Sequence, residues 1–412
     1  MSPTGDFLIA AGGNGTITLL DLRTDLTSIY KGHTSRLTAI TPPTKEIPIL
    51  LSADVGGAIR AWPLPVEFAR IAMTMNSQFN TAAFDKQSRM VIATTFFPTL
   101  TTFSPSTGVR TFTPHEPHNI YLVQSRGGRV FATYGLNDLV ELWTTSTMNR
   151  GRTITTRQGS VTQLSFVDDT DDLVTSGHDG KLLRWADSGA ETLIAQIDQP
   201  IDLFALLPGP VTAVFSSADG TLWHTTANGP PVPFKRAASR VTRILLLPDR
   251  QTVVAGYTNG EVIAVDTMSW KYWTLLRASG SVREISISPS GHWISVATAD
   301  GFVHVGLGHD LTTLLAHITW LEIPVLARHQ VLTSDGLLVA VCSDGVIWLY
   351  SIPEQRWPCL PIEAADLRWV AIAPDDRMAA VLDIEGRLIW VDLDSARKLL
   401  GMGHQAQESM EH

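Results

Sequence analysis

The feature that most constrains this chain is a short hairpin that returns about every 41 residues over its whole length, since a period of that size excludes most folds at once. The clearest copy is Leu173-Val-Thr-Ser-Gly-His-Asp-Gly-Lys-Leu-Leu-Arg-Trp185. A β-rich run enters an Asp-Gly turn, and a second run leaves it to close on a tryptophan, the pattern of two paired antiparallel strands. Equivalent turn positions are Gly15, Gly57, Pro98, Asp138, Gly180, Gly220, Gly260, Gly301, Gly345 and Gly386. Each is followed, at the same distance, by Leu20, Trp62, Phe103, Trp143, Trp185, Thr225, Val265, Gly306, Tyr350 or Val391, a mostly large and apolar set that reads as a buried position. A third strand precedes each hairpin, as in Val282-Arg-Glu-Ile-Ser-Ile-Ser-Pro-Ser-Gly291 and Leu367-Arg-Trp-Val-Ala-Ile-Ala-Pro374. A fourth follows it, as in Thr27-Ser-Ile-Tyr30 and Arg397-Lys-Leu-Leu400. Four antiparallel strands per period, with no helical segments between, predict an all-β propeller built from about ten four-stranded repeats.

Gly32-His33 and Gly403-His404 at strand junctions, the Asn-Gly, Asp-Gly and Glu-Gly turns, the strand-closing Trp62, Trp143 and Trp185, and Asp21, Asp266 and Asp392 carry a resemblance to the WD40 repeat family. The resemblance covers essentially the whole chain, although no repeat has a literal Trp-Asp pair. It implies that a junction His, a strand Ser or Thr, a turn Asp and the strand Trp brace each blade by hydrogen bonds. The second repeat offers His33, Ser52, Asp54 and Trp62 for such a set, while most other repeats lack the His, the Trp or both. Those repeats must be held by apolar packing, each missing hydrogen bond costing about 1 kcal/mol.

Ten repeats exceed the usual size of a single propeller. Residues 115–404, which follow the junction Thr113-Pro-His-Glu-Pro117, contain seven repeats with all four strands and are expected to close as a seven-bladed ring. Residues 1–114 hold three repeats of a second, incomplete propeller, and residues 405–412 form a polar tail; one continuous ten-bladed ring is the alternative. The first repeat lacks its innermost strand, which an upstream extension, another polypeptide or the tail could supply, and the tail's polar composition ranks it last.

Composition narrows the function classes. With 44% hydrophobic and 17% charged residues the blades bury apolar side chains on both faces, and disorder is not expected. The net charge of −9 argues against a general nucleic-acid binder, whose affinity comes largely from Lys and Arg on phosphate. Cys342 and Cys359 read as reduced, buried thiols. Phe7-Leu-Ile-Ala-Ala11 is too short for a signal peptide, and no run approaches the ~20 apolar residues that span a bilayer. A cytoplasmic protein is expected.

Local chemistry is sparse. His115-Glu-Pro-His118 spaces its histidines by three in a proline-containing loop and is not a helical zinc motif. The acidic run Asp168-Asp-Thr-Asp-Asp172 lacks the glycine and distal Glu of a calcium loop and reads as a turn. There is no Gly-x-Ser-x-Gly elbow, phosphate loop or dinucleotide fingerprint. No catalytic residue, metal or cofactor is expected, and a propeller enzyme with a cluster gathered at the channel mouth is the alternative reading.

The resemblance places recognition on the upper face, formed by the hairpin turns and the junctions into each inner strand. There Phe96 and Phe97 replace the usual polar turn residues and are candidate anchors. Arg36, Phe79, Arg157 and Arg240 precede inner strands and are candidates to ring the upper mouth. Trp270, Tyr272 and Trp273 read as packing at a blade edge. The expected function is a non-enzymatic scaffold, sensor or regulatory subunit that binds a separately encoded effector protein. The Arg-rich, Lys-poor, drifted repeats look similar to bacterial WD40 proteins, which accompany ATPase, kinase or peptidase modules in signalling and defence.

Overall fold

Each hairpin turn brings a strand of alternating apolar residues back against its neighbour, and the buried sets on the two faces decide which blades meet. In the computed structural model the described residues are 7–400, excepting 14, 23–25, 31–32, 34, 42–48, 64–68, 75–77, 86, 88–90, 96–99, 105–107, 113–118, 136, 169, 210–211, 227–228, 237–238, 308–317, 343–344, 354, 356–358 and 362–365. They form 38 strands and one helix.

Eight four-stranded antiparallel sheets follow one another as blades. Their inner strands are Phe79–Phe84, Asn119–Gln124, Val161–Phe166, Ile201–Leu207, Val241–Leu246, Val282–Ile287, Ala327–Leu332 and Leu367–Ile372, for blades one to eight. Each contacts the next, and that of blade eight contacts that of blade one, so the ring is closed. Strand alternation explains the packing. In blade seven, Leu337, Val339 and Val341 face blade eight, where they meet Leu367, Val370, Ala379 and Val381. Leu338, Ala340 and Cys342 face blade six and meet Ala297, Val303 and Val305. Burying such a side chain contributes roughly 1.5–3 kcal/mol, and every blade does so on both faces.

The closing strand comes from the other end of the chain. Ala69–Thr74 pairs with the third strand of blade eight, Arg387–Asp392, in the register Arg387↔Thr74, Leu388↔Met73, Ile389↔Ile71, Trp390↔Arg70 and Val391↔Ala69. This removes an unpaired strand edge, which sheet proteins otherwise have to shield. The ring therefore has eight blades rather than the expected seven, and it takes in the repeat before residue 115. The same pairing corrects the fourth strand expected at Arg397-Lys-Leu-Leu400, because its place in blade eight is filled. Those residues instead end the helix α1, Leu393–Leu400. Asp392 caps it, its Oδ1 accepting from the Asp394 and Ser395 amides at 3.0 and 3.3 Å. Leu393 and Ala396 bury against blades seven and eight, and Arg397 donates to Asp335 at 2.6 and 3.1 Å.

The first two repeats remain outside the ring. Phe7–Ala11, Ile17–Asp21 and Leu26–Tyr30 form one three-stranded sheet, and Leu37–Thr41, Ile49–Asp54 and Ile59–Pro63 another. The second sheet is short of a fourth strand because Ala69–Thr74 serves the ring. Ile17, Leu19, Leu37 and Leu50 share a core with Val346 and Trp348, which docks this pair on blade seven.

Candidate interaction site

The upper face is defined by how closely two loops approach. At Gly220 the backbone has φ +86°, and an added Cβ would overlap the Ser239 carbonyl oxygen and lie 2.8 Å from its carbon. Only glycine satisfies both the left-handed conformation and the contact. Gly260 stands likewise beneath Ala278. The hairpin turns at Gly180, Gly220 and Gly260 thus lie against the junction that leads into the next inner strand.

Immediately after that junction every blade makes the same irregularity. Pairing of the inner with the second strand slips at one residue in all eight ladders. The residues passed over are Asn80, Ile120, Thr162, Asp202, Thr242, Arg283, Arg328 and Arg368. A bulge of this kind re-aims the extra side chain, and it stands at the junction end of every inner strand, toward the upper rim; Thr162 turns to the Ile201 carbonyl at 2.6 Å, and the Ile120 side chain lies outside the described set. Blades one to five contribute no cation at this position, and blades six to eight contribute an arginine each. Arg283 is exposed, and the Arg328 and Arg368 side chains are 48% and 39% exposed. Asp366 lies 3.8 Å from Arg328 and 3.9 Å from Arg368, beyond hydrogen-bond range.

One residue further in, a polar belt joins neighbouring blades. The Gln163 amide donates to the Phe204 carbonyl at 3.0 Å and accepts from its amide at 2.7 Å. Arg243 makes a two-pronged bond to Glu284 at 2.8 and 2.7 Å, and the Glu284 carboxylate holds the guanidinium above its ordinary pKa. His329 stacks on Trp369 with ring centroids 3.8 Å apart, and its Nδ1 accepts from the Val370 amide at 3.4 Å. Burial pushes its pKa down to about 4, so the ring is neutral at pH 7. Trp369 Nε1 donates to the Ala82 carbonyl at 3.1 Å, which ties blade eight to blade one.

The residues singled out from sequence fall differently. Phe79 begins the inner strand of blade one but is 1% exposed, packed among Ala82, Phe84, Ala380 and Trp390, so its side chain is withdrawn from any partner. Arg36 is exposed but belongs to the second three-stranded sheet, outside the ring. Arg157 is exposed at the junction into blade three, with φ +56°. Arg240 is exposed at the junction into blade five and is held by Asp202 at 2.7 Å. Phe96 and Phe97 lie outside the described residues, as do His115 and His118. The junction residues alone do not point to the three rim arginines; their signal in the sequence is the second residue of the inner strands Val282–Ile287, Ala327–Leu332 and Leu367–Ile372.

Bracing networks exist where sequence expected them and where it did not. His33 Nδ1 lies 2.7 Å from Asp54 and its Nε2 2.6 Å from Ser52; the Trp62 side chain lies outside the described set. In blade three Gln158 stands in for the junction His. Its Oε1 accepts from Thr175 Oγ1 at 2.5 Å, its Nε2 donates to the Lys181 carbonyl at 2.9 Å, and Trp185 Nε1 donates to Thr175 at 2.9 Å. Trp270 stacks on His224 at 3.9 Å, while Lys235 lies 4.8 Å from the centre of the Tyr272 ring, so this group packs blade five against blade four.

The acidic run is occupied by arginines. Asp168 pairs with Arg126 and Arg250, Asp171 with Arg129, and Asp172 with Arg184. Among the described residues no group of His, Cys, Asp and Glu is arranged to hold a metal ion. No helix there is long and apolar enough to cross a membrane. Cys342 is a buried thiol, 4% exposed, in the core between blades six and seven.

Residues 271–305 match the family model described as "WD domain, G-beta repeat". That segment runs from the outer strand of blade five to the third strand of blade six. No curated protein matches the chain. Among solved structures it is similar to the computationally designed Ika8 protein, at 15% identity and a TM-score of 0.65, over 78% of this chain and 98% of that one. It is also similar to the β-propeller domain of Cps50 (Swd1) from Myceliophteria thermophila, at 15% identity and a TM-score of 0.53, over 67% of this chain and 97% of that one. Closed ring and repeated hairpin make residues 69–400 an eight-bladed β-propeller, of which residues 271–305 match a WD40 repeat.

Proposed function

We propose that the chain is a non-enzymatic interaction scaffold or regulatory subunit that docks a separately encoded effector protein on its upper face. The observation that carries this reading is the rim itself. A closed ring with polar ties between blades holds the bulged positions in a fixed array, with the side chains of Arg283, Arg328 and Arg368 exposed, and preorganised surfaces bind with little ordering cost. Just inside the rim Gln163, Arg243 and Glu284 are engaged in inter-blade bonding, which is the chemistry of a rigid frame. The drifted, Arg-rich repeats support an effector of the ATPase, kinase or peptidase kind in a bacterial signalling or defence setting.

Affinity capture of the tagged protein from its native cells, followed by native mass spectrometry, tests the reading. A second protein should elute in stoichiometric amount and be lost when the rim is altered. A chain that elutes alone, or with a partner insensitive to every rim substitution, overturns it.

A further inference from the structure

We propose that Arg283, Arg328 and Arg368 form a docking site for an acidic peptide segment, a run of Asp and Glu side chains on the partner protein. This rests on the reading of the upper rim as the docking face.

The three arginines occupy the bulged position of three consecutive blades, so their placement follows from one repeated backbone device. The remaining blades have Asn80, Ile120, Thr162, Asp202 and Thr242 there, so positive charge at the bulged position is confined to three consecutive blades. The nearby arginines are already occupied, Arg240 by Asp202 at 2.7 Å and Arg243 by Glu284 at 2.7 and 2.8 Å. In the three-blade arc a single carboxylate, Asp366, is shared between Arg328 and Arg368 at ion-pair distances of 3.8 and 3.9 Å, too long for a hydrogen bond, and among the described residues Arg283 makes no ion pair, so the guanidinium donors outnumber the carboxylates that face them. A guanidinium presents a fork of donors that matches a carboxylate, and such charge-assisted pairs are among the stronger polar contacts. In a chain of net charge −9 a local positive arc also steers an acidic ligand to one place. Guanidinium groups spread over three blades fit a succession of carboxylates along an extended chain better than one compact phosphate. The acidity of the whole chain opposes a nucleic-acid backbone.

The test uses a fluorescein-labelled deca-glutamate peptide, with deca-lysine as its control, in fluorescence anisotropy at low and physiological salt. The full chain should bind deca-glutamate saturably, ignore deca-lysine, and bind more weakly as salt rises. The triple variant Arg283→Gln, Arg328→Gln, Arg368→Gln should raise Kd by about tenfold or more. The double variant Arg157→Gln, Arg240→Gln should change it by about twofold or less. Thermal unfolding of both variants should follow that of the parent, since the altered groups lie on the rim. Absence of deca-glutamate binding, or equal affinity in the triple variant and the parent, overturns the proposal. So does binding of a phosphoserine peptide or single-stranded RNA at concentrations where deca-glutamate does not bind. If the protein captured from native cells stays bound to the triple variant but is lost on other rim substitutions, the acidic-segment proposal fails and the docking reading stands.

Discussion

Replacing Gly220 by alanine separates two physical costs that the fold combines. Gly220 and Gly301 are both hairpin-turn glycines with left-handed backbones, φ +86° and +96°. At Gly301 an added Cβ meets nothing within 4 Å, whereas at Gly220 it overlaps the Ser239 carbonyl and approaches Arg240 Cα to 3.3 Å. Gly301→Ala therefore carries only the conformational penalty, about 1–2 kcal/mol. Gly220→Ala adds the displacement of a backbone junction that cannot rotate out of the way, about 1–3 kcal/mol more by comparison with overpacked sites. Urea unfolding of the parent and the two variants, compared at unchanged m, should place Gly220→Ala below Gly301→Ala by that increment. Gly220→Ala should also shift the junction that carries Arg240, visible as altered amide exchange at residues 239–241. Equal losses at the two positions would refute the argument that hairpin turns and junctions are coupled by close approach.

Other expectations follow from the belt and the networks. Arg243→Met should cost about 1–3 kcal/mol in chemical unfolding, because it strands the Glu284 carboxylate, and Arg243→Met with Glu284→Leu should recover most of the loss. His329 has a folded pKa near 4 against an ordinary 6.5. The unfolded chain thus binds the proton first, so stability should fall as pH drops from about 6.5 to 4 and rise again on return. His329→Phe, which keeps the stack on Trp369, should flatten that part of the profile in thermal melts from pH 7 to 4. Gln158→Ala should destabilise by about 1–3 kcal/mol, since it leaves the buried Thr175 hydroxyl with one partner fewer, and Gln158→His should be milder. An outcome in which Gln158→Ala melts with the parent would show that blade three does not depend on this amide.

The all-β propeller and the hairpin positions were legible in the sequence because they depend on local terms. Glycine at turns with positive φ, the apolar run within Glu261–Asp266 and the apolar position after each turn are readable one repeat at a time. Val265 and Val391 are fully buried and Trp185 nearly so, as that pattern requires. The number of blades is not a local property. Ala69–Thr74 follows the second repeat in sequence but pairs in blade eight. There it covers the edge of Arg387–Asp392, which lies more than 300 residues away in sequence. Once that edge is filled, Arg397-Lys-Leu-Leu400 cannot be a strand there, and Asp392 starts a helix instead.

The candidate site divides the same way. That arginines crowd the inner strands is visible in Val282-Arg283, Ala327-Arg328 and Leu367-Arg368. That these three face the rim while Arg243 turns inward to Glu284 depends on a one-residue slip in strand pairing, which changes which side chains share a face. Likewise Phe79 occupies a junction by sequence but is enclosed when blade eight arrives beside it. The sequence by itself determined the repeating unit, because strand, turn and alternation are written within some forty residues. Tertiary structure alone decided the closure, the eight-blade count and the exposed arc, because those depend on contacts between segments hundreds of residues apart and on the geometry of the ring as a whole.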